Sequence, residues 1–133
     1  RSTLFPYTTL FRSHAVFAIP AVKGIEFGSG FKAAQMLGSE HNDAIIDNKG
    51  TTATNNAGGI NGGITNGNEL YFRIAVKPTS SITKSQQTFN FETGKVETLQ
   101  VKGRHDACIA LRVPPILEAM TAIVLADLKL RNA

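Results

Sequence analysis

The sequence predicts an α+β fold, and three observations carry that prediction. Leu70, Phe72, Ile74 and Val76 alternate with Tyr71, Arg73, Ala75 and Lys77, the period of a half-buried strand. Residues 88–91 and 96–101 flank a glycine-bearing turn at Thr93-Gly94 and read as a hairpin. After Pro114-Pro115, the residues Leu117, Met120, Val124 and Leu128 fall on one helical stripe, with Ile116 and Ile123 beside it. Strands and helices mixed in this way place the chain in the α+β class.

The first element is not one. Arg1 to Ser13 reads RSTLFPYTTLFRS, with a repeated Thr-Leu-Phe triplet, no acid and neither helical nor strand period. Written as codons, these residues are the translation of a widely used short-read sequencing adaptor. A signal peptide does not fit, since there is no sustained apolar run and no small-residue cleavage site. Residues 1–13 are therefore expected to be a non-native artefact, and 14–133 a native piece cut at His14. Arg1 and Arg12 belong to the artefact, so two of the four net positive charges are not native.

From His14 to Val22 the chain is small and apolar, and Lys23 to Gly28 alternates like a short strand between glycines. Ser29-Gly30 followed by Phe31, Ala33, Ala34, Met36 and Leu37 predicts a short helix closed by Gly38. Residues 47–68 offer little to bury and include Ala57-Gly58-Gly59-Ile60-Asn61-Gly62-Gly63-Ile64. A loop of that length is either a flexible linker or a functional site. The strand at 70–76 then stops at Pro78, which cannot donate a ladder hydrogen bond. Lys129 and Arg131 close the last helix and suit the negative end of its dipole.

Composition bounds what such a chain does. Its 133 residues make one modest domain, 42% hydrophobic and 18% charged, with a mean hydropathy of −0.04, which excludes general disorder. No apolar run approaches the roughly 20 residues of a membrane span, so no membrane partner is expected. The single cysteine, Cys108, excludes an internal disulfide and fits a reducing, cytoplasmic setting. A net charge of +4 without basic clusters, and only 8% aromatics, argue against nucleic acid.

Three stretches could carry chemistry. The glycine loop lacks the phosphate-binding and dinucleotide fingerprints, yet paired glycines let a ligand approach exposed peptide N–H groups. Lys77-Pro78-Thr79-Ser80-Ser81 sets an ammonium and three hydroxyls at a strand end, which suits a phosphate and equally suits a capped turn. Gly103-Arg104-His105-Asp106-Ala107-Cys108 packs polar side chains between a strand and an apolar helix. His105 and Cys108 supply at most two of the four ligands of a structural zinc, so no metal site is expected, and Cys108 reads as a buried, inert thiol.

These stretches together resemble the chorismate synthase family. The carriers are Pro20 to Gly28, the loop Asn56 to Ile64, the turn Lys77 to Ile82, Gly103 to Asp106, and the helix from Ile116 to Met120, in register from His14 to Ala133. The resemblance implies the C-terminal portion of that family's β-α-β sandwich, a homotetramer when complete. It implies a lyase converting 5-enolpyruvylshikimate 3-phosphate to chorismate by 1,4-elimination, with reduced FMN as cofactor. It also implies flavin contacts at Pro20, Ala21, Gly62, Lys77, Pro78, Thr79, Ser80, Ser81 and Arg104, and proton handling by Asp106. Members vary at the position of Pro20 (Asn in some), and here Ala107 stands where many carry proline. The family's two catalytic histidines and its substrate-gripping arginines are expected upstream of His14. The competing reading is a non-catalytic module that captures a phosphorylated ligand, supported by Lys77 to Ser81 and by the positive charge.

Overall fold

The computed structural model describes residues 8–131. Helix α1 (Thr8–Phe17) leads into β1 (Val22–Phe27), a 3-10 turn (Gly30–Gln35) and the single-turn α2 (Gly38–His41). Two tiny strands follow, β2 (Ile60–Asn61) and β3 (Ile64–Thr65), then β4 (Phe72–Val76) and the hairpin β5 (Gln86–Asn90) and β6 (Lys95–Leu99). A second 3-10 turn (Ile109–Arg112) opens onto α3 (Val113–Arg131). The strands form three separate antiparallel pairs, β1–β4, β2–β3 and β5–β6, and the class is α+β as expected.

The alternation at 70–76 acts as predicted. Phe72, Ile74 and Val76 turn toward α1 and α3 while Arg73 and Ala75 stay exposed. Val16, Ile19, Val22 and Val113 are buried, and Ile25, Leu117 and Met120 pack around them. This small core joins α1, β1, β4 and the start of α3. The stripe on α3 is the packed side, with Leu128 buried near its far end, whereas Ile116 and Ile123 are exposed.

Four expectations need correction or a limit. Of residues 1–13, Arg1 to Tyr7 lie outside the described residues, and Thr8 to Ser13 form the first turns of α1. Gly38 does not close a helix: the 3-10 turn ends at Gln35, and Gly38 begins α2, whose Glu40 carboxylate accepts the Leu37 N–H at 2.7 Å. Within Ile109–Arg131 an 18-residue stretch has a mean hydropathy of 1.7, enough by length and composition alone to cross a membrane, so a run of that length is present after all. A helix apolar on more than one face is one made to be covered on more than one face, in a membrane or inside a longer protein.

The fourth concerns residues 47–68, for which the sequence leaves linker and functional site both open: together with residues 42–46 they form a fastened loop. Polar side chains supply the hydrogen bonds that a strand ladder would otherwise provide. Asp43 accepts from the N–H groups of Asn56 and Ala57 at 2.8 and 2.9 Å and from the Thr54 hydroxyl at 2.7 Å. Asn55 donates to the Glu69 carbonyl and accepts from Gly59 N–H. Asn68 accepts from Thr52 N–H and donates to the Gly50 carbonyl. Partial burial raises the Asp43 pKa, but the donors from Ala57, Thr54 and Asn56, and the nearby His41, outweigh it and hold the carboxyl below its usual range.

A folded pKa below the unfolded one gives stability that is present above about pH 4 and lost as pH falls through the folded value. Asp43→Asn is therefore expected to lower the melting temperature clearly at pH 7 and much less at pH 3. Thermal unfolding at the two pH values checks this; an equal loss at both would show that the charge is not what holds the loop.

Candidate functional site

Chain entry into β1 and chain exit from β4 meet at one place. Ala21 sits at φ 70°, a left-handed conformation that costs a residue with a Cβ about 1–2 kcal/mol. In that conformation its carbonyl accepts the Lys77 N–H at 2.7 Å. Strain of this kind persists only where surrounding structure imposes it, and it concentrates at functional sites. Pro78 ends the strand immediately beyond, and the turn Pro78-Thr79-Ser80 folds along a cleft of about 270 Å³. Ala21, Lys23, Lys77, Pro78, Thr79 and Ser80 line it, with Ile109 from the turn before α3.

Polar chemistry in this cleft is poised for an acceptor. The Thr79 hydroxyl oxygen is buried and has no hydrogen-bond partner. Leaving such a group unsatisfied costs about 1–3 kcal/mol. Lys77 forms no ion pair among the described residues. A hydroxyl donor beside an unneutralised ammonium fits a phosphoryl group.

The remaining predicted positions lie elsewhere. Pro20 and Ser81 are exposed neighbours of the cleft in sequence but do not line it. Gly62 occupies the turn of the β2–β3 hairpin, where Gly62 and Gly63 at φ 57° and 82° make the two-residue turn that needs positive φ at both positions. Arg104 is exposed on the segment between β6 and the 3-10 turn, and Asp106 on that segment is bound by Arg112 at 2.7 Å. His105 keeps its Nε2 buried without a partner. Cys108 is an exposed free thiol rather than a buried one, and no cluster of metal-ligating side chains occurs among the described residues.

Sequence reasoning missed Lys23 as a cleft residue. It stands two positions from Ala21, and nothing in the alternation of β1 says which way its side chain is aimed.

The family model described as chorismate synthase matches residues 11–130. The chain belongs to the chorismate synthase family. It is 67% identical over 118 residues to the curated chorismate synthase of Chitinophaga pinensis, covering 89% of this chain and 36% of that protein. With the chorismate synthase of Archaeoglobus fulgidus it shares 54% identity over 117 residues, 86% of this chain and 32% of the relative. A solved crystal structure of chorismate synthase superposes with a TM-score of 0.69 at 31% identity, over 95% of this chain and 31% of that one. The chain thus spans about a third of the length of the chorismate synthases it matches. The family match begins at residue 11 and so takes in Phe11, Arg12 and Ser13, three residues of the expected artefact.

Proposed function

We propose that this chain is the C-terminal, flavin-binding part of a chorismate synthase, preceded by thirteen non-native residues. The reaction is the 1,4-elimination of phosphate and a C6 hydrogen from 5-enolpyruvylshikimate 3-phosphate, a carbon–oxygen lyase step in aromatic amino acid biosynthesis. The observation that carries the reading is the cleft that gathers Ala21, Lys77, Pro78, Thr79 and Ser80 around a buried hydroxyl without a partner. A reduced flavin, when bound, supplies electron density to the ring as phosphate departs.

Within that reaction the chain's own residues bind and orient. Lys77 contributes a positive charge, and the hydroxyls of Thr79, Ser80 and Ser81 donate hydrogen bonds to phosphoryl oxygens. Arg104 adds a second, planar cation, and Gly62 with Pro20 and Ala21 gives backbone surface that a flat ring system can approach. Asp106 would carry the proton exchanged beside a bound flavin, and Arg112 holds its carboxylate at 2.7 Å. The upstream part of the protein brings the catalytic histidines and the substrate-binding arginines. The complete enzyme is a cytoplasmic homotetramer.

Lys77→Ala and Arg104→Ala in the full-length protein should each weaken FMN binding roughly tenfold or more. Each removes a charge-assisted hydrogen bond worth about 1.5–3 kcal/mol, and 1.4 kcal/mol is a factor of ten. Fluorescence titration measures this, and anaerobic formation of chorismate by the unmodified protein tests the activity. Unchanged flavin affinity in both variants would move the site elsewhere.

A further inference from the structure

We propose that Lys23 is a second phosphate-binding cation of the cleft, aimed into it by a β-bulge. The inference rests on the flavin and phosphate reading above and extends it to a residue that reading does not use. In the β1–β4 pair, Val22 faces Val76 and Gly24 faces Ala75, so Lys23 is the extra residue and has no partner across the ladder. A bulge bends its strand and re-aims the side chain it carries, and bulges of this kind recur beside binding sites. Just before it, left-handed Ala21 is clamped by its carbonyl to the Lys77 N–H. Two departures from regular strand geometry within three residues thus flank the cleft.

Their result is two lysines lining one cleft. Lys23 and Lys77 both line the cleft, as does Thr79, whose hydroxyl is buried without a partner. Neither lysine has a carboxylate partner among the described residues. Two unneutralised ammonium groups on one small cleft repel each other, and an anion between them reverses the sign of that interaction. A phosphomonoester dianion balances both charges, whereas a carboxylate balances one. The chemistry selected is therefore a phosphate monoester, and it comes either from the cofactor's phosphate or from the phosphate that the substrate loses.

The test uses the full-length protein and its Lys23→Gln and Lys23→Arg variants. Dissociation constants are read for FMN and riboflavin by flavin fluorescence, and for 5-enolpyruvylshikimate 3-phosphate by calorimetry without turnover. Lys23→Gln should bind one phosphate ester about tenfold more weakly, with riboflavin unaffected and Lys23→Arg close to wild type. Loss confined to FMN assigns the seat to the cofactor, and loss confined to the substrate assigns it there. Wild-type affinity for both esters in a Lys23→Gln protein with an unaltered melting temperature would overturn the role of Lys23 alone. A wild-type protein that binds neither ester would overturn the functional reading and this inference together.

Discussion

Gly28→Ala and Gly58→Ala are each expected to cost about 3 kcal/mol or more, enough to lower the melting temperature by roughly 10 °C. Both glycines sit at positive φ, 54° and 65°, and both are buried. The larger cost is contact with backbone. A Cβ on Gly28 would stand 2.0 Å from the Asn56 carbonyl oxygen and 2.5 Å from Gly58 N. One on Gly58 would stand 2.3 Å from Gly28 N and 2.6 Å from the Tyr71 carbonyl oxygen. Main-chain atoms cannot rotate away as a side-chain tip does, so the loop has to leave β1. Leaving breaks the bonds that converge there, Gly28 N–H to Tyr71, Ser29 N–H to Asn56 and Tyr71 N–H to Gly58. Gly62→Ala is the control: its φ is also positive, at 57°, but nothing lies within 4 Å of a Cβ there. It should cost only about 1 kcal/mol. Thermal unfolding of the three variants decides the matter, and equal losses at Gly58 and Gly62 would show that conformation, not close approach, sets the requirement.

How far the fold was legible follows from what each element uses to hold itself. The α3 stripe and β4 are held by apolar burial, and burial leaves a period in the sequence that names Leu117, Met120, Phe72 and Ile74 directly. The β5–β6 hairpin announces itself through its glycine-bearing turn at Thr93-Gly94, although Phe91 at its tip is 91% exposed. Residues 42–68 are held by Asp43, Asn55, Asn66 and Asn68, and such contacts have no period. A run of Thr, Asn and Gly therefore reads the same whether it is slack or fastened. The candidate site divides along the same line. Lys77 to Ser80 is a local cluster and can be read from adjacent letters, whereas the joining of Ala21 to Lys77 spans the chain from β1 to β4. The aim of Lys23 depends on one unpaired position in a ladder, which only the register reveals. Asp106 was named through the family resemblance, and its pairing with Arg112 six residues on could not be seen in that resemblance.

The 133-residue chain expressed as it stands is expected to show no measurable lyase turnover, even with reduced FMN supplied. Elimination needs the ring of the substrate held over the flavin, a charge on the departing phosphate and a proton route, all in one geometry. On the proposed reading the chain offers the Lys77 cleft and Asp106, and it spans about a third of the length of the chorismate synthases it matches. Groups that act as a unit do not contribute in proportion when some are missing, so a partial site gives a rate near background. Physical stability points the same way. The buried cluster is four residues, Val16, Ile19, Val22 and Val113, with partly buried neighbours. On α3 and the turn before it, Leu111, Ile116, Ile123 and Leu130 remain exposed, as do Phe89, Phe91 and Val96 on the hairpin. Apolar surface of that extent drives self-association, and the bare edges of two-stranded sheets add to it. Size-exclusion chromatography should therefore find the isolated chain aggregated, and an anaerobic assay following chorismate absorbance should find it silent. Turnover near that of a full-length relative would show that residues 14–133 hold a complete catalytic set, and the assignment of catalytic groups to the upstream part of the protein would fall.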